Sequence, residues 1–141
     1  MKNGFIIAMV CLCLSANVSA QKTIVTQAAE KAFQQKFAGA TTAVKWDKEG
    51  KNEFEAEFVL NGKKGSANFS ATGEWLETEM GIAIADAPSA VNTAFVKMFP
   101  TATIKEVYKI ETSKGKNYFE IEYQLKRKIK EVKIDASGKI I

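Results

Sequence analysis

Glutamates at alternate positions are the residues of this chain whose type and spacing could do chemistry. They occur in two segments, as Glu53, Glu55 and Glu57 and again as Glu120 and Glu122. If each segment is a β-strand, residues i and i+2 lie about 7 Å apart on one face, a separation that could suit paired carboxylates or a hard cation such as calcium. Cross-strand ion pairs, Glu57 with Lys64 and Glu120 with Lys133, are the simpler interpretation. We therefore favour a solvated sheet face and predict no metal site.

Other catalytic groups are scarce. The chain has no histidine, and both cysteines, Cys11 and Cys13, lie in a predicted signal peptide. The mature chain therefore lacks the usual general base, thiol nucleophiles, disulfides and zinc ligands of the Cys/His type. Its serines have no nucleophile-elbow signature, and Gly62-Lys63-Lys64-Gly65 does not join a strand to a helix as a phosphate loop does. We predict a protein that is not an enzyme and uses no cofactor.

The first 20 residues have the pattern of a signal peptide. Lys2 is followed by an apolar run over residues 5–14 and by Val18-Ser19-Ala20, a small-residue cleavage site. Large residues precede both cysteines, which disfavours a lipoprotein. We expect cleavage after Ala20, a periplasmic or secreted protein, and no membrane span after cleavage.

The charge of the mature chain is small. The whole chain has a net charge of +4, and Lys2 is the one charged residue in the signal peptide, so +3 remains. Apart from Lys126-Arg127-Lys128, positive and negative residues are interspersed. Nucleic-acid binding requires a coherent basic face, so we predict none.

An internal repeat organises the chain. The segment 69–76, FSATGEWL, recurs 65 residues later as IDASGKII, and 32–37, AFQQKF, recurs 62 residues later as AFVKMF. Apolar residues at helical spacing predict one helix up to Phe37 and another up to Phe99, and core packing explains these stripes best. We predict two units, residues 21–82 and 83–141, which form one integrated domain.

Each helix precedes segments that alternate with period two, as half-buried antiparallel strands do. First strands are expected near residues 43–48 and 104–111. Asn61-Gly62 predicts a two-residue hairpin turn, which places Phe54 opposite Phe69 and Phe58 opposite Gly65. Lys126-Arg127 occupies the corresponding turn, where a looser or longer loop is expected because neither residue favours positive φ.

The motif Ser70-Ala71-Thr72-Gly73 recurs as Asp135-Ala136-Ser137-Gly138 and predicts type I turns closed by a glycine bulge. A final strand is expected from Glu74 to Glu79, and a stub at Ile141. Trp75 should then pack in the core opposite Phe69.

The order of these aromatic and glycine positions resembles the PepSY-like family of β-lactamase-inhibitor-like proteins. The resemblance rests on Lys31-Ala32-Phe33, Val44-Lys45-Trp46, 54–58 (FEAEF), Gly73 and Trp75-Leu76. It implies an α+β fold: a tandem repeat of a helix followed by three to four antiparallel strands, forming one antiparallel sheet with helices on one face. It also implies a sheet face that can hold a protein or peptide partner.

Two function hypotheses follow. The first is a non-enzymatic periplasmic binding protein, an inhibitor or regulator of a peptidase or other envelope enzyme, that acts through the exposed sheet face. The second is an envelope sensor whose glutamate-rich face binds a small ligand or cation. The candidate partner-binding residues combine glutamates with the tyrosines and tryptophan that favour interfaces: Trp46, Glu55, Glu57, Tyr108, Tyr118, Glu120 and Glu122.

Overall fold

A computed structural model describes residues 25–40 and 44–141 of the 141-residue chain. Two α-helices and seven β-strands make up the fold, with a short 3-10 helix, Ile84–Asp86, before the second α-helix. In chain order they are α1 (Gln27–Lys36), β1 (Lys45–Lys48), β2 (Glu53–Leu60), β3 (Lys63–Ser70), β4 (Trp75–Gly81), α2 (Ser89–Met98), β5 (Thr103–Thr112), β6 (Asn117–Leu125) and β7 (Lys128–Asp135). The predicted signal peptide lies outside the described residues.

The strands form one antiparallel sheet in the order β1-β2-β3-β4-β5-β6-β7, which confirms the predicted α+β class. The hairpin registers are confirmed as well. Phe54 pairs with Phe69 and Phe58 with Gly65 across β2 and β3, and Phe119 pairs with Ile134 across β6 and β7. Strands β4 and β5 pair from Glu77–Thr112 to Gly81–Tyr108, so the sheet is continuous between the two predicted units. The unit boundary itself stays a prediction.

Both helices begin and end where the sequence signals lie. The Thr26 side chain accepts a hydrogen bond from the Ala29 backbone and caps α1, while Pro88 precedes α2. Each helix buries a narrow apolar stripe. Ala29 and Phe33 are buried from α1, and Val91 and Phe95 from α2.

Two core clusters lie between the helices and the sheet. Around α1, Phe33 contacts the rings of Phe58 and Phe69 edge-on, with centroids 5.3 and 6.2 Å apart. Around α2, Phe95 meets Tyr123 at 5.3 Å, and Ile121 and Ile134 are fully buried. Cross-strand partners point to the same face of a sheet, so the registers place both clusters on one face.

The glycine-bulge turns are confirmed and also bring the helices close to the sheet. Gly73 has φ 85° and Gly138 has φ 87°, a region that strains residues with a Cβ. A Cβ at Gly73 would lie 2.7 Å from the Ala28 carbonyl oxygen, and one at Gly138 the same distance from that of Ala90. The same turn-to-helix contact therefore recurs at α1 and α2.

The expectation of a longer loop at Lys126-Arg127 is wrong. Leu125 pairs with Lys128, so the turn has two residues, as at Asn61-Gly62. Lys126 adopts φ 58° to make this possible. The eight cross-strand pairs between β6 and β7 set the register and hold Lys126 in a conformation that its own preference disfavours. Sheet pairing therefore overrides the local turn chemistry.

Candidate partner-binding face

The sheet has a second face that neither helix covers in the described part of the chain. We call this the open face. The registers place on it a mainly polar array that includes two tyrosines, a valine, the buried Ile110 and the exposed Ile129: Lys45, Asp47, Glu55, Glu57, Val59, Lys64, Ser66, Glu77, Glu79, Glu106, Tyr108, Ile110, Tyr118, Glu120, Glu122, Ile129, Glu131 and Lys133. Alternation along each strand produces the array, because residues between these positions point toward the helix-covered side. The open face is therefore an acidic surface with an aromatic component.

Ile110 forms an apolar floor in the middle of the open face. It pairs with Glu79 on β4 and with Tyr118 on β6, and its side chain has no exposed surface. It belongs to neither core cluster, so the side chains that cover it are those of the open face. Ile110 is already buried in the free protein, so it supports the side chains around it, among them Tyr118 and Glu79, and offers no contact area of its own to a partner.

Glu79 is the most perturbed carboxyl of this face. Burial raises its pKa to about 7, and the negative charges of Glu120, Glu77 and Glu55 contribute to the rise, while Lys133 opposes them. Burial likewise raises the pKa of Glu77, whose Oε2 accepts a hydrogen bond of 3.4 Å from the Tyr118 hydroxyl. The open face thus holds carboxyls that are partly withdrawn from water and close to like charges.

Three glutamates lie in direct register across the end of the sheet. Glu106 on β5 pairs with Glu122 on β6, which pairs with Glu131 on β7, and we call this set the glutamate row. The Tyr108 hydroxyl donates a hydrogen bond to Glu106. Within residues 25–40 and 44–141, no salt bridge joins any of the three to a basic side chain. Like charges directly opposite one another destabilise a sheet, so the row carries an electrostatic cost.

Lysines neutralise other parts of the open face. Lys133 forms a 3.0 Å ion pair with Glu120, as predicted, and its Nζ lies 5.4 Å from the centroid of the Tyr118 ring. Glu57 pairs with Lys45 at 3.4 Å. The predicted pairing of Glu57 with Lys64 is wrong, because Ser66 is the residue opposite Glu57 and Lys64 lies opposite Val59.

Six of the seven predicted partner-binding residues share the open face: Glu55, Glu57, Tyr108, Tyr118, Glu120 and Glu122. Trp46 does not. It pairs with Ala56 and faces α1, where its ring lies 5.7 Å from Phe33 and 6.1 Å from Phe69. Trp75 packs opposite Phe69 as predicted, and its Nε1 donates to Thr78 Oγ1 at 2.8 Å.

Sequence reasoning missed four carboxyls of the open face: Glu77, Glu79, Glu106 and Glu131. Glu77 and Glu79 do alternate in the predicted final strand, so their spacing was a usable signal. Their proximity to Glu120 depends on the pairing of β4 with β5, which no local pattern specifies.

Comparison with known proteins agrees with this architecture. The family model described as "Putative beta-lactamase-inhibitor-like, PepSY-like" matches residues 52–141. A BLIP-like protein from Bacteroides fragilis is similar in structure, with a TM-score of 0.70 and 24% identity over 84% of both chains. No significant match was found among curated proteins.

Two further solved structures share the fold. One, from Bacteroides eggerthii and described as a "putative periplasmic" protein, has a TM-score of 0.77 and 17% identity over 84% of this chain and 87% of that one. A DUF2874 family protein from Bacteroides uniformis has a TM-score of 0.76 at the same identity and coverage. The family match extends from β2 through β7, over well more than half of the chain, and so the chain belongs to the PepSY-like, β-lactamase-inhibitor-like family.

Proposed function

We propose that this protein is a non-enzymatic binding protein of the bacterial envelope that holds a protein or peptide partner on the open face. The observation that carries the proposal is the face itself. It presents Tyr108 and Tyr118 beside the buried Ile110, within a rim of carboxylates, and neither helix covers it in the described residues. Tyrosines at the centre of a polar rim are common hot spots of protein interfaces.

The family suggests the class of partner. A β-lactamase-inhibitor-like fold and the resemblance to PepSY proteins favour an envelope enzyme, such as a peptidase, that the protein would inhibit or regulate.

An envelope location fits the sequence and the relatives. The pattern of residues 1–20 predicts export, and a structural neighbour is described as periplasmic. In the part of the chain that the structure describes, no helix is long and apolar enough to span a membrane. Mass spectrometry of the mature protein should find Gln21 as its first residue. An intact N-terminus in the envelope fraction would contradict cleavage after Ala20.

The binding proposal can be tested by capture from an envelope extract. Purified wild-type protein should retain a partner that the Tyr108→Ala/Tyr118→Ala variant loses, because tyrosines are enriched among interface hot spots, whose removal costs about 2 kcal/mol or more. Asn92→Ala/Lys97→Ala, on the exposed side of α2, is the matched control and should retain it. Circular dichroism must show that both variants are folded. Equal retention by all three proteins would overturn the proposal.

A cation or small-ligand sensor is the second candidate, favoured by the density of carboxylates on the open face. The registers spread these groups along the strands, and among the described residues no group of three or more is arranged to hold a metal ion. A calcium titration followed by thermal unfolding distinguishes the two functions. A ligand that binds the native state raises the melting temperature, so a saturable rise would support the sensor. No rise at millimolar calcium would exclude a calcium sensor.

A further inference from the structure

We propose that the partner of the open face is cationic, and that a lysine- or arginine-bearing segment docks across the glutamate row, Glu106, Glu122 and Glu131, beside Tyr108. This inference rests on the proposed function and specifies the chemistry of the partner. It begins from the register, which aligns three carboxylates on three adjacent strands. Neighbouring strands are about 4.8 Å apart, so the row is about 10 Å long.

The charge distribution favours a cationic occupant. Elsewhere on the face Lys133 pairs with Glu120, and Lys45 pairs with Asp47 and Glu57. Within the described residues no salt bridge joins the row to a basic side chain. The direct register of its three members distinguishes the row from Glu55, Glu77 and Glu79, which also have no salt bridge in the part of the chain that the structure describes. A cation placed above Glu122 would interact with three carboxylates at once. Binding would thereby convert a repulsive arrangement into an attractive one, which is how complementary charge contributes to specificity.

The surroundings of the row suit a lysine or arginine side chain rather than a small ion. Tyr108 follows Glu106 by two residues on β5 and lies opposite Glu120 on β6. Its hydroxyl donates a hydrogen bond to Glu106, and this bond holds the Tyr108 ring beside the glutamate row. An aromatic ring next to carboxylates can hold a cation over its face while apolar parts of the same side chain pack against it. Lys133 already lies this way against Tyr118 within the protein.

A pair of labelled peptides tests the charge preference. The probe is a twelve-residue peptide of alternating lysine and threonine, and the comparison peptide replaces lysine by glutamate. Fluorescence anisotropy should show saturable binding of the lysine peptide that weakens as salt is added, since partly exposed charges are screened. Failure of the wild-type protein to bind the lysine peptide, or preference for the glutamate peptide, would overturn the inference.

Matched variants locate the binding. Glu106→Gln/Glu122→Gln/Glu131→Gln removes the charge of the row, while Glu30→Gln/Glu74→Gln/Glu111→Gln removes the same charge from α1, a turn and the helix-covered side of the sheet. We expect the row variant to bind the lysine peptide at least about tenfold more weakly, and the control within about threefold of wild type. Equal loss in both would show that overall charge, and not the row, attracts the peptide.

The inference and the proposed function fail in different ways. Loss of repulsion should make the row variant melt at a higher temperature than wild type, so weaker binding cannot be attributed to unfolding. If the row variant still binds the lysine peptide and still captures the partner that Tyr108→Ala/Tyr118→Ala loses, the open face binds but its partner is not selected by charge. If capture is independent of the tyrosines too, the proposed function itself fails.

Discussion

Glu79 illustrates how the open face combines burial with charge. Its strand neighbours across the sheet are Ser66 on β3 and Ile110 on β5, so no basic residue lies directly opposite. Burial is the largest cause of its raised pKa, and the carboxylates of Glu120, Glu77 and Glu55 add to it. A group in this position costs the fold stability when it is ionised, which suggests that binding rather than stability accounts for its presence.

The pH dependence of stability should reveal this cost. With a pKa of about 7 in the fold against 4.5 for an ordinary glutamate, Glu79 is protonated in the folded chain and ionised in the unfolded chain between these values. The folded state binds more protons there, so its stability falls as pH rises from about 4.5 to 7. Glu79→Gln should therefore stabilise the protein at pH 8 by about 1–3 kcal/mol, and by little at pH 4.

Urea unfolding at the two pH values measures the effect, with Glu74→Gln at an exposed turn as the control. The control should change the free energy of unfolding by less than about 0.5 kcal/mol at either pH. A destabilised Glu79→Gln at pH 8 would contradict the electrostatic account of this residue.

Gly73 should be essential for the contact between its turn and α1. Gly73→Ala introduces both a positive-φ strain and a clash with the Ala28 carbonyl, so we expect a loss of about 2–3 kcal/mol. Gly62→Ala is the matched control, because Gly62 has φ 77° but a Cβ there would meet no atom within 4 Å beyond its chain neighbours. It should lose only about 1 kcal/mol. Equal losses in thermal or urea unfolding would show that the close approach to α1 contributes nothing.

The hairpins were predictable because several local signals agree. Asn61-Gly62 tolerates positive φ. Only one register of β2 and β3 also brings their apolar residues together on the same face of the sheet. In the second hairpin the apolar pattern predicted the register correctly, whereas the turn residues Lys126-Arg127 wrongly indicated a longer loop. A strong strand pattern outweighs the preference of a single turn residue, since eight cross-strand pairs oppose one strained φ angle.

The turn between β6 and β7 should therefore accept a better turn residue. Lys126→Gly relieves the positive φ of 58° and should stabilise the protein by about 0.5–1 kcal/mol. Lys114→Gly, in the β5–β6 turn, is the control, since Lys114 is not among the residues with positive φ. It should be neutral or slightly destabilising. Denaturant midpoints compare the two, and a Lys126→Gly variant that is no more stable than Lys114→Gly would contradict the interpretation.

The candidate site was only partly predictable at the level of elements. Alternation within one strand identified Glu55, Glu57, Glu120 and Glu122, and it placed Tyr118 among them. Trp46 was included for its residue type, although its register with Ala56 turns it toward α1. The glutamate row requires β5, β6 and β7 together, and a bulge between Ile104 and Glu106 sets its alignment. Bulges of this kind have no clear sequence signal here.

At the scale of the whole molecule, one continuous sheet connects two cores. The fully buried Phe69 belongs to the cluster under α1, and the fully buried Ile134 to the cluster under α2. Pairing of β4 with β5 joins them. The open face crosses this junction, with Glu77 and Glu79 on one side and Tyr108, Tyr118 and Glu120 on the other. A partner on this face would therefore contact strands from both halves.

The two cores should unfold together. Both tryptophans, Trp46 and Trp75, pack against the α1 cluster, so their fluorescence reports on that half alone. Ile134→Ala, in the other half, should nevertheless shift the tryptophan transition by the same amount as the circular dichroism transition, with a loss of about 2–4 kcal/mol. A tryptophan transition unchanged from wild type would show that the halves unfold independently.

We propose above all that the open face is the surface that binds the partner. Photo-crosslinking in the cell tests this most directly. A photoreactive phenylalanine analogue at Ser66, beside Glu57 and Glu79 on the open face, is compared with the same analogue at Lys31 on the exposed side of α1. We predict that illumination links the Ser66 variant to a partner protein or peptide and that the Lys31 variant gives no such product. Crosslinks from Lys31 with none from Ser66 would contradict the claim.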